Sequence, residues 1–438
     1  MGIFDIFGKK NDKEAEGADE KALEEQRQKT LEETKKKYEG LEWPCIQRLN
    51  PVNIKDAEGE VMEETVPGGR KDEIGAMIYD EDISPDTLKF LSGQELLFLL
   101  TTLEVFNKKA ELPGFEKNHR KVYNEVLGRI RDADTLFVLY DRTTGYPYID
   151  HGFTNVYFEK ELAEKAVEMF DRQYRKLFAK ECKVENNDVQ GGRRAGFFDY
   201  LYYIGMENLI IDNGAYRARF KRSEIVAAPG DWNRDERDKT PMNPALNYAM
   251  LDFIEEARWP VKYEKRNEVL RAKEIRMLSL VRAAHFIVPM QHEGPAELME
   301  DGRVRFGKDT KIRFLVMKTQ DDKQFIPLYT DGFEFAKNGK GKEWNAGVFG
   351  YQDILRFVQD KDGIRINPDG QGIVITKQQM MALEVAGHQA ELLRGRQMSA
   401  AQTGQSADNA VQQALNQAVV RMQTGNNQDD GTNKLKND

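Results

Sequence analysis

Cysteine and histidine are scarce in this 438-residue chain, which has two cysteines and five histidines. Cys45 and Cys182 lie far apart and in no metal-ligand spacing, so we expect neither a disulfide framework nor a zinc site. No two histidines stand four residues apart, the spacing that helical metal sites use. We therefore predict no metal and no other cofactor.

Long apolar runs are also missing. No stretch approaches the roughly 18 consecutive apolar residues of a membrane-spanning helix, and the N-terminus has no apolar leader followed by a small-residue cleavage site. The sequence therefore predicts a cytoplasmic protein that is neither secreted nor membrane-spanning.

Basic residues do not dominate the composition, because 65 Lys and Arg stand against 74 Asp and Glu, a formal net charge of -9. An acidic chain repels polyphosphate on average, which argues against non-specific nucleic-acid binding by the whole molecule. A hydrophobic content of 40% is typical of globular proteins, whereas a mean hydropathy of -0.68 indicates that some segments lie outside any core. The length predicts two or three domains.

The ends of the chain have compositions that build no core. Residues 1–40 are predicted to be a charged arm, helical or disordered. The apolar cluster within 1–10 favours a disordered tail, with a short helix on a membrane or in a partner's groove as the alternative. Residues 41–91 are predicted to be an irregular linker in which 74–78 suit an edge strand. Residues 396–438, rich in Gln and Asn, predict a disordered tail with one short amphipathic helix.

The middle of the chain contains one pattern twice. Ser92 and Glu95 have capping-box spacing at the start of a helix with leucines on one face. We predict two related tandem domains, at 92–230 and 243–395, joined by a linker at 231–242. The apolar positions that coincide at a constant offset of 150 are Leu96 and Leu246, Leu99 and Ala249, Leu100 and Met250, Leu103 and Phe253, Leu136 and Phe286, and Val138 and Val288.

Each domain is predicted to be α/β (α+β), with two helices, a small mixed sheet and further helices. Each ends in a strand, a tight turn, a second strand and a helix. Asn213 with Gly214, and Asp369 with Gly370, are predicted to adopt the positive φ that tight reversals need. Thr376 is predicted to cap the last helix.

The second domain also carries a recognisable order of motifs: paired helices, Phe-Ile-Val-Pro at 286–289, Ile-Pro-Leu-Tyr-Thr at 326–330 and Ile-Asn-Pro at 366–368. This order resembles the N-terminal domain of SseB-type (enhanced serine sensitivity) proteins, over about residues 243–385 and more loosely over 92–228.

The resemblance implies an α/β fold and a bacterial cytoplasmic protein. The family has no established reaction, so no catalytic residue can be carried over. The first domain departs from the pattern, since Leu139 stands in place of Pro289, Phe158 near the place of Thr330 and Asp212 near that of Asn367.

Two groups of residues are candidates for binding. Polar and proline side chains at the strand ends of the second domain are candidates for a ligand or partner surface, but simple turn chemistry is the favoured interpretation. Alternating basic residues near 216–222 are candidates for an anion patch, but protection of an edge strand or simple solvation is the favoured interpretation. The first group is Pro289, Thr330, Asn367, Pro368 and Asp369, and the second is Arg217, Arg219 and Lys221.

Asp150 and His151 are the only neighbouring pair that suggests acid/base chemistry. Adjacent residues of a strand point to opposite faces, so we expect these two side chains not to share a site.

With no catalytic constellation in the sequence, we expect a non-enzymatic adaptor that binds a protein partner through two related surfaces. The alternatives are a small-molecule (amino-acid) sensor and a phosphate or RNA binder.

Overall fold

A computed structural model describes residues 8–45, 64–185, 196–229, 240–299, 304–337 and 343–399. Within these ranges the chain forms helices and small mixed sheets, so the predicted α/β class is confirmed. The candidate membrane contact of residues 1–10, most of the linker 231–242 and the tail beyond Ser399 fall outside the described residues. No helix of the described part has the length and apolar character to cross a membrane.

The N-terminal part is helical where it is described. Its elements are α1 (Gly8–Lys37), α2 (Gly68–Gly75), a 3-10 helix (Ala76–Tyr79) and α3 (Pro85–Lys89). The edge strand expected at 74–78 is therefore wrong. Ile74 and Ile78 are both buried at one-turn helical spacing, and Trp43 covers Gly75 so closely that a Cβ there would lie 2.7 Å from the ring.

The helices from α2 onward belong to the first of two units. We call residues 64–226 the first unit, because its main hydrophobic cluster extends from Val66 to Ile225 and a second, smaller cluster lies within the same range. The rest of this unit is α4 (Gly93–Asn107), α5 (Phe115–Arg131), β1 (Thr135–Asp141), β2 (Ile149–Asp150), β3 (Phe153–Tyr157), α6 (Lys160–Asp171), β4 (Leu177–Lys183), α7 (Phe197–Tyr203), β5 (Asn208–Ile211), β6 (Ala218–Lys221) and α8 (Arg222–Ile225). The predicted capping box of Ser92 and Glu95 begins α4.

The second unit comprises residues 244–399. Its elements are α9 (Pro244–Arg258), α10 (Arg266–Ala283), β7 (His285–Glu293), β8 (Ala296–Leu298), β9 (Val304–Phe306), β10 (Lys311–Phe314), β11 (Met317–Lys318), β12 (Gln324–Leu328), α11 (Gly332–Lys337), β13 (Asn345–Gly350), α12 (Tyr351–Phe357), β14 (Gly363–Ile366), β15 (Ile373–Thr376) and α13 (Lys377–Ser399). Thr376 accepts a hydrogen bond from Gln379 N at 3.3 Å and caps α13, as predicted.

Strand pairing follows the same order in both units. The first sheet runs β4-β1-β3-β5-β6, with β3 and β5 parallel and the other neighbours antiparallel. In the second unit β13 pairs with β7, and β12 pairs with β14 and β14 with β15. A bridge between Ile287 and Tyr329 connects β7 to β12, which gives β13-β7-β12-β14-β15. The parallel pair again lies in the middle.

The two units pack against each other through α9. Leu246, Ala249 and Met250 on this helix are buried in the second core, whereas Leu251 is buried in the first. One helix therefore contributes to both cores, because it has apolar side chains on two sides.

Positive φ occurs at other turn residues than predicted. In the first turn Asp212 (φ 51) and Gly214 (φ 98) adopt it, so Gly214 agrees with the prediction and Asn213 does not. In the second turn Asn367 (φ 46) and Gly372 (φ 65) adopt it, instead of Asp369 and Gly370. Each turn therefore begins at the residue directly after the parallel strand.

Candidate functional site

The polar residues at the strand ends of the second unit form a buried cluster. Thr330 N donates to Asn367 Oδ1 at 3.0 Å, and Asn367 Nδ2 lies 2.8 Å from both Thr330 Oγ1 and Gln371 Oε1. Asn247 of α9 joins the cluster, with its Oδ1 3.1 Å from Asn367 Nδ2 and its Nδ2 2.9 Å from Asp331 Oδ2. These contacts hold the ends of β12 and β14 against the start of α9.

The five residues that sequence reasoning proposed as one surface are thus separated by burial. Thr330 and Asn367 are fully buried, Pro289 is buried within β7, and Pro368 is half-buried. Asp369 alone is exposed. The hydrogen-bonding groups of Thr330 and Asn367 face each other, because the turn folds Asn367 back under the strand ends.

Asn247 and Asp331 were missed by the sequence analysis. Asn247 lies within the buried stretch of α9 and is itself 1% exposed. A polar residue inside an apolar stripe is the feature that could have revealed it, since buried amides need partners.

The first unit builds the same turn with a different side chain. Asp212 follows β5 as Asn367 follows β14, and its Oδ1 accepts from Phe158 N at 3.0 Å, as Asn367 Oδ1 does from Thr330 N. Gln94 Nε2 donates to the other carboxylate oxygen. Burial raises the pKa of Asp212 to about 8, against the opposing effect of these donors. A buried carboxyl with a raised pKa therefore occupies the place of an amide.

The turn of the second unit also touches the first unit. Tyr146 Oη lies 3.2 Å from both Glu334 Oε1 and Lys337 Nζ. Gly370 packs on this group so closely that a Cβ would lie 2.5 Å from Tyr146 Oη. Burial raises the pKa of Glu334, although the neighbouring Lys337 opposes this. Asp369 and Gly370 line a cleft of about 680 Å³ beside Tyr146 and Lys337.

A second set of contacts fixes the other end of α9 to the first unit. Glu255 Oε2 accepts from Ile149 N at 3.1 Å, and Trp259 Nε1 donates to Gln173 O at 2.9 Å. Burial, followed by the nearby Asp141, raises the pKa of Glu255 well above its usual range. The joint between the units is therefore a buried, partly polar interface.

The basic strand alternates as predicted and lies at an edge of its sheet. Arg219 and Lys221 are exposed, whereas Arg217 is half-buried and donates to Asn213 Oδ1 at 3.0 Å. Arg219 stacks over Phe153, with its guanidinium carbon 5.1 Å from the ring centroid. Burial, then the charge of Arg219, lowers the pKa of Arg217.

A groove beside this strand has mixed charge. Its volume is about 570 Å³, and Arg217, Arg219 and Lys108 line it together with Glu104 and Tyr123. Lys221 is not among the residues that line it. The structure thus brings two of the three predicted basic residues to one groove, where an acidic side chain offsets part of their charge.

Asp150 and His151 do contact each other, contrary to expectation. His151 Nδ1 lies 2.7 Å from Asp150 Oδ1, because His151 has φ 49 in the turn after β2 instead of extending the strand. The side chain of His151 is 77% exposed, whereas that of Asp150 is only 18% exposed. In the described ranges, no group of three or more His, Cys, Asp or Glu side chains is placed to hold a metal ion.

The corresponding edge strands of the two units differ in charge. Glu181 of β4 pairs with Phe137, and Val348 of β13 pairs with Ile287, which stands at the offset of 150 from Phe137. Val348 thus takes the place of Glu181 and is 52% exposed.

Exposed apolar side chains concentrate on the second unit. Of the twelve large apolar residues with high exposure in the described chain, seven lie there. They are Val304, Ile312, Phe333, Val348, Val374, Met381 and Val385.

Residues 266–382 match the family model of the SseB protein N-terminal domain. The match starts at the first residue of α10 and ends in α13, so it covers the sheet of the second unit. Neither a curated protein nor a solved structure matches the chain.

Proposed function

We propose that this chain is a non-enzymatic adaptor of the bacterial cytoplasm that binds a protein partner through its second unit. The observation that carries the proposal is the concentration of exposed large apolar side chains on that unit. Solvent-exposed apolar groups that cluster on one part of a protein are typical of interaction surfaces. We further propose that the first unit is a divergent copy of the SseB-like domain, on the basis of its strand order.

The internal use of the polar cluster supports the same proposal. Asn367 and Thr330 direct their hydrogen-bonding groups at each other and at Asn247, so they hold the fold together. A ligand that used these groups would have to displace the contacts that connect two strands and a helix. Partner binding through apolar surface needs no such rearrangement.

Chemical cross-linking followed by affinity purification of the full chain from its native host tests the proposal. The double variant Met381→Lys, Val385→Lys places two charges on the exposed side of α13 and should lose the partners that wild type captures. Val105→Lys on the first unit is the matched control, because Val105 is also exposed, at 38%. Capture of identical partners by all three proteins would contradict the proposal.

The cleft beside Asp369 favours small-molecule binding as a second candidate function. Tyr146, Lys337 and Asp369 bring a phenol, an ammonium and a carboxylate to this cleft between the units. An amino acid carries groups that complement them. A thermal-shift screen with amino acids, including serine, should then raise Tm, and Asp369→Ala should remove the shift.

Anion binding at the groove of Arg217 and Arg219 is a third candidate. Two guanidinium groups line one groove, which suits phosphate groups or RNA. Filter binding with labelled RNA should then show retention that falls with salt and is lost in Arg219→Gln. Retention that does not depend on salt would exclude this function.

A further inference from the structure

The edge strand β13 offers one side of its backbone for pairing. It pairs with β7 from Asn345 to Gly350, and it is the last strand on that side of the sheet within the described residues. It carries no charged residue. An edge strand without charges is a site where another strand can add, because natural edges are usually protected by charged side chains.

Both edges of the first sheet show that protection, whereas β15, the other edge of the second sheet, also has no charged residue. The corresponding strand β4 of the first unit has Lys180, Glu181 and Lys183 within its seven residues. The opposite edge, β6, has Arg219 and Lys221. The same chain thus protects both edges of the first sheet and leaves β13 uncharged.

Packing on one face fixes β13 in place. The ring of Phe349 lies 4.9 Å from that of Phe357 and 5.8 Å from that of Phe314, measured between centroids. A Cβ on Gly347 would lie 2.6 Å from Met290 Sδ, so no side chain fits there. Ala346 and Val348 remain exposed on the other face. The strand is therefore held before any partner arrives, which lowers the entropy lost on binding.

We propose that β13 binds an extended segment of a partner protein by strand addition, with an uncharged, β-branched or aromatic side chain of that segment packed on Val348. The inference rests on the proposed adaptor function and specifies its binding mode. Backbone hydrogen bonds along β13 hold the segment, and contact with Ala346 and Val348 selects its side chains. A charged residue at that place would lose water without gaining an opposite charge.

The length of the strand decides against a second copy of this chain as the occupant. Stable protein dimers bury at least roughly 1,200 Å² in total, and two six-residue strands paired edge to edge bury much less. A flexible segment of a partner needs to bury less surface, because micromolar affinity is sufficient for a short peptide.

A phage-displayed library of random dodecapeptides, selected on the full chain, tests the proposal. Counter-selection uses Val348→Glu, which copies Glu181 of the first unit onto an exposed position and should leave the fold intact. Selected peptides should bind this variant at least about tenfold more weakly than wild type. Their binding to Val105→Glu, the control on the first unit, should be unchanged. Hydrogen exchange of residues 343–350 should slow when a selected peptide is bound.

Three results would overturn the proposal. The first is selection that yields no peptide distinguishing wild type from Val348→Glu. The second is peptide protection of a different segment from amide exchange. The third is a wild-type dimer, seen by light scattering after size exclusion, that Val348→Glu dissociates. Partners from the host that survive Val348→Glu but are lost in the α13 double variant would remove β13 as the site and leave the adaptor function standing.

Discussion

The two units fold one strand order around turns whose first residues differ by one side-chain group. In the second unit Asn367 satisfies the turn with an amide, and in the first unit Asp212 satisfies it with a buried carboxyl whose pKa is raised to about 8. The backbone donor, the positive φ and the distance of 3.0 Å are the same. The geometry of the turn thus depends on a side-chain oxygen at this position, and either residue supplies it.

The outer faces of the units differ more. In the first unit the amphipathic helix α6 packs along β4 and buries Leu162, Ala163, Ala166 and Phe170. The helix at the same place in the second unit, α11, has only six residues. Val348 of β13 and Glu181 of β4 are both exposed, so at this position the two units differ in charge. This difference supports the proposal that a partner binds the second unit.

The largest effect on stability is expected at the contact between the first unit and α9. Gly205 has φ 77, and a Cβ there would lie 2.1 Å from Pro244 O. Gly205→Val should lower the free energy of unfolding by more than about 4 kcal/mol. A β-branched residue is strained at this positive φ, and its Cβ would also collide with the backbone of Pro244. Urea unfolding measures this.

Gly128→Ala, in α5 with open space around it, is the control and should stabilise by about 1 kcal/mol. A mild effect of Gly205→Val would mean that the units are not packed as described.

The next largest effect on stability is expected from Asn367→Asp, which gives the second unit the carboxyl that Asp212 provides in the first. In Asn367→Asp an oxygen replaces the Nδ2 that faces Asn247 Oδ1, and Asn247 cannot rotate because its own Nδ2 donates to Tyr203 O at 2.7 Å. We expect a loss of about 3 kcal/mol at neutral pH. Asp369→Asn, at an exposed position, should change the midpoint of urea unfolding very little. Equal stability of the two variants would show that the cluster is not the structural tie inferred here.

The reciprocal change should stabilise the first unit. The native state keeps the Asp212 proton up to about pH 8, whereas the unfolded chain releases it near pH 4, so wild-type stability is lost as pH rises through this window. Asp212→Asn has no proton to lose. Its advantage over wild type should grow by about 1.4 kcal/mol for each pH unit between pH 4 and pH 8. Denaturant midpoints at the two pH values measure it, and identical pH slopes would contradict a buried protonated carboxyl.

The smallest expected change concerns the protected edge of the first unit. Glu181→Val gives β4 the residue that stands at Val348, and should alter stability by less than about 0.5 kcal/mol because the site is exposed. Self-association should nevertheless increase, because a charge that protects the edge is gone. Sedimentation velocity at several protein concentrations would detect this, and a strictly monomeric variant would weaken the argument drawn from the charges of β4.

Local patterns were enough to predict much of the fold. The capping residues Ser92 and Thr376 start helices as expected, because a cap acts within one helical turn. Gly75 and its neighbours were misassigned as a strand, since a short apolar run fits a helix or a strand equally well until its packing partner is known. Trp43, which covers Gly75, lies more than thirty residues away in the chain.

By itself, the amino-acid sequence determined many of the helices and strands and the charges on β4 and β6, because these follow from the order of apolar and polar residues. Only the tertiary structure decided that Asn367 and Thr330 face inward, that the pKa of Asp212 is raised, and that β13 is left at an edge. Burial and strand order depend on contacts between distant segments. Those contacts fix which polar group loses water and which strand has no neighbour.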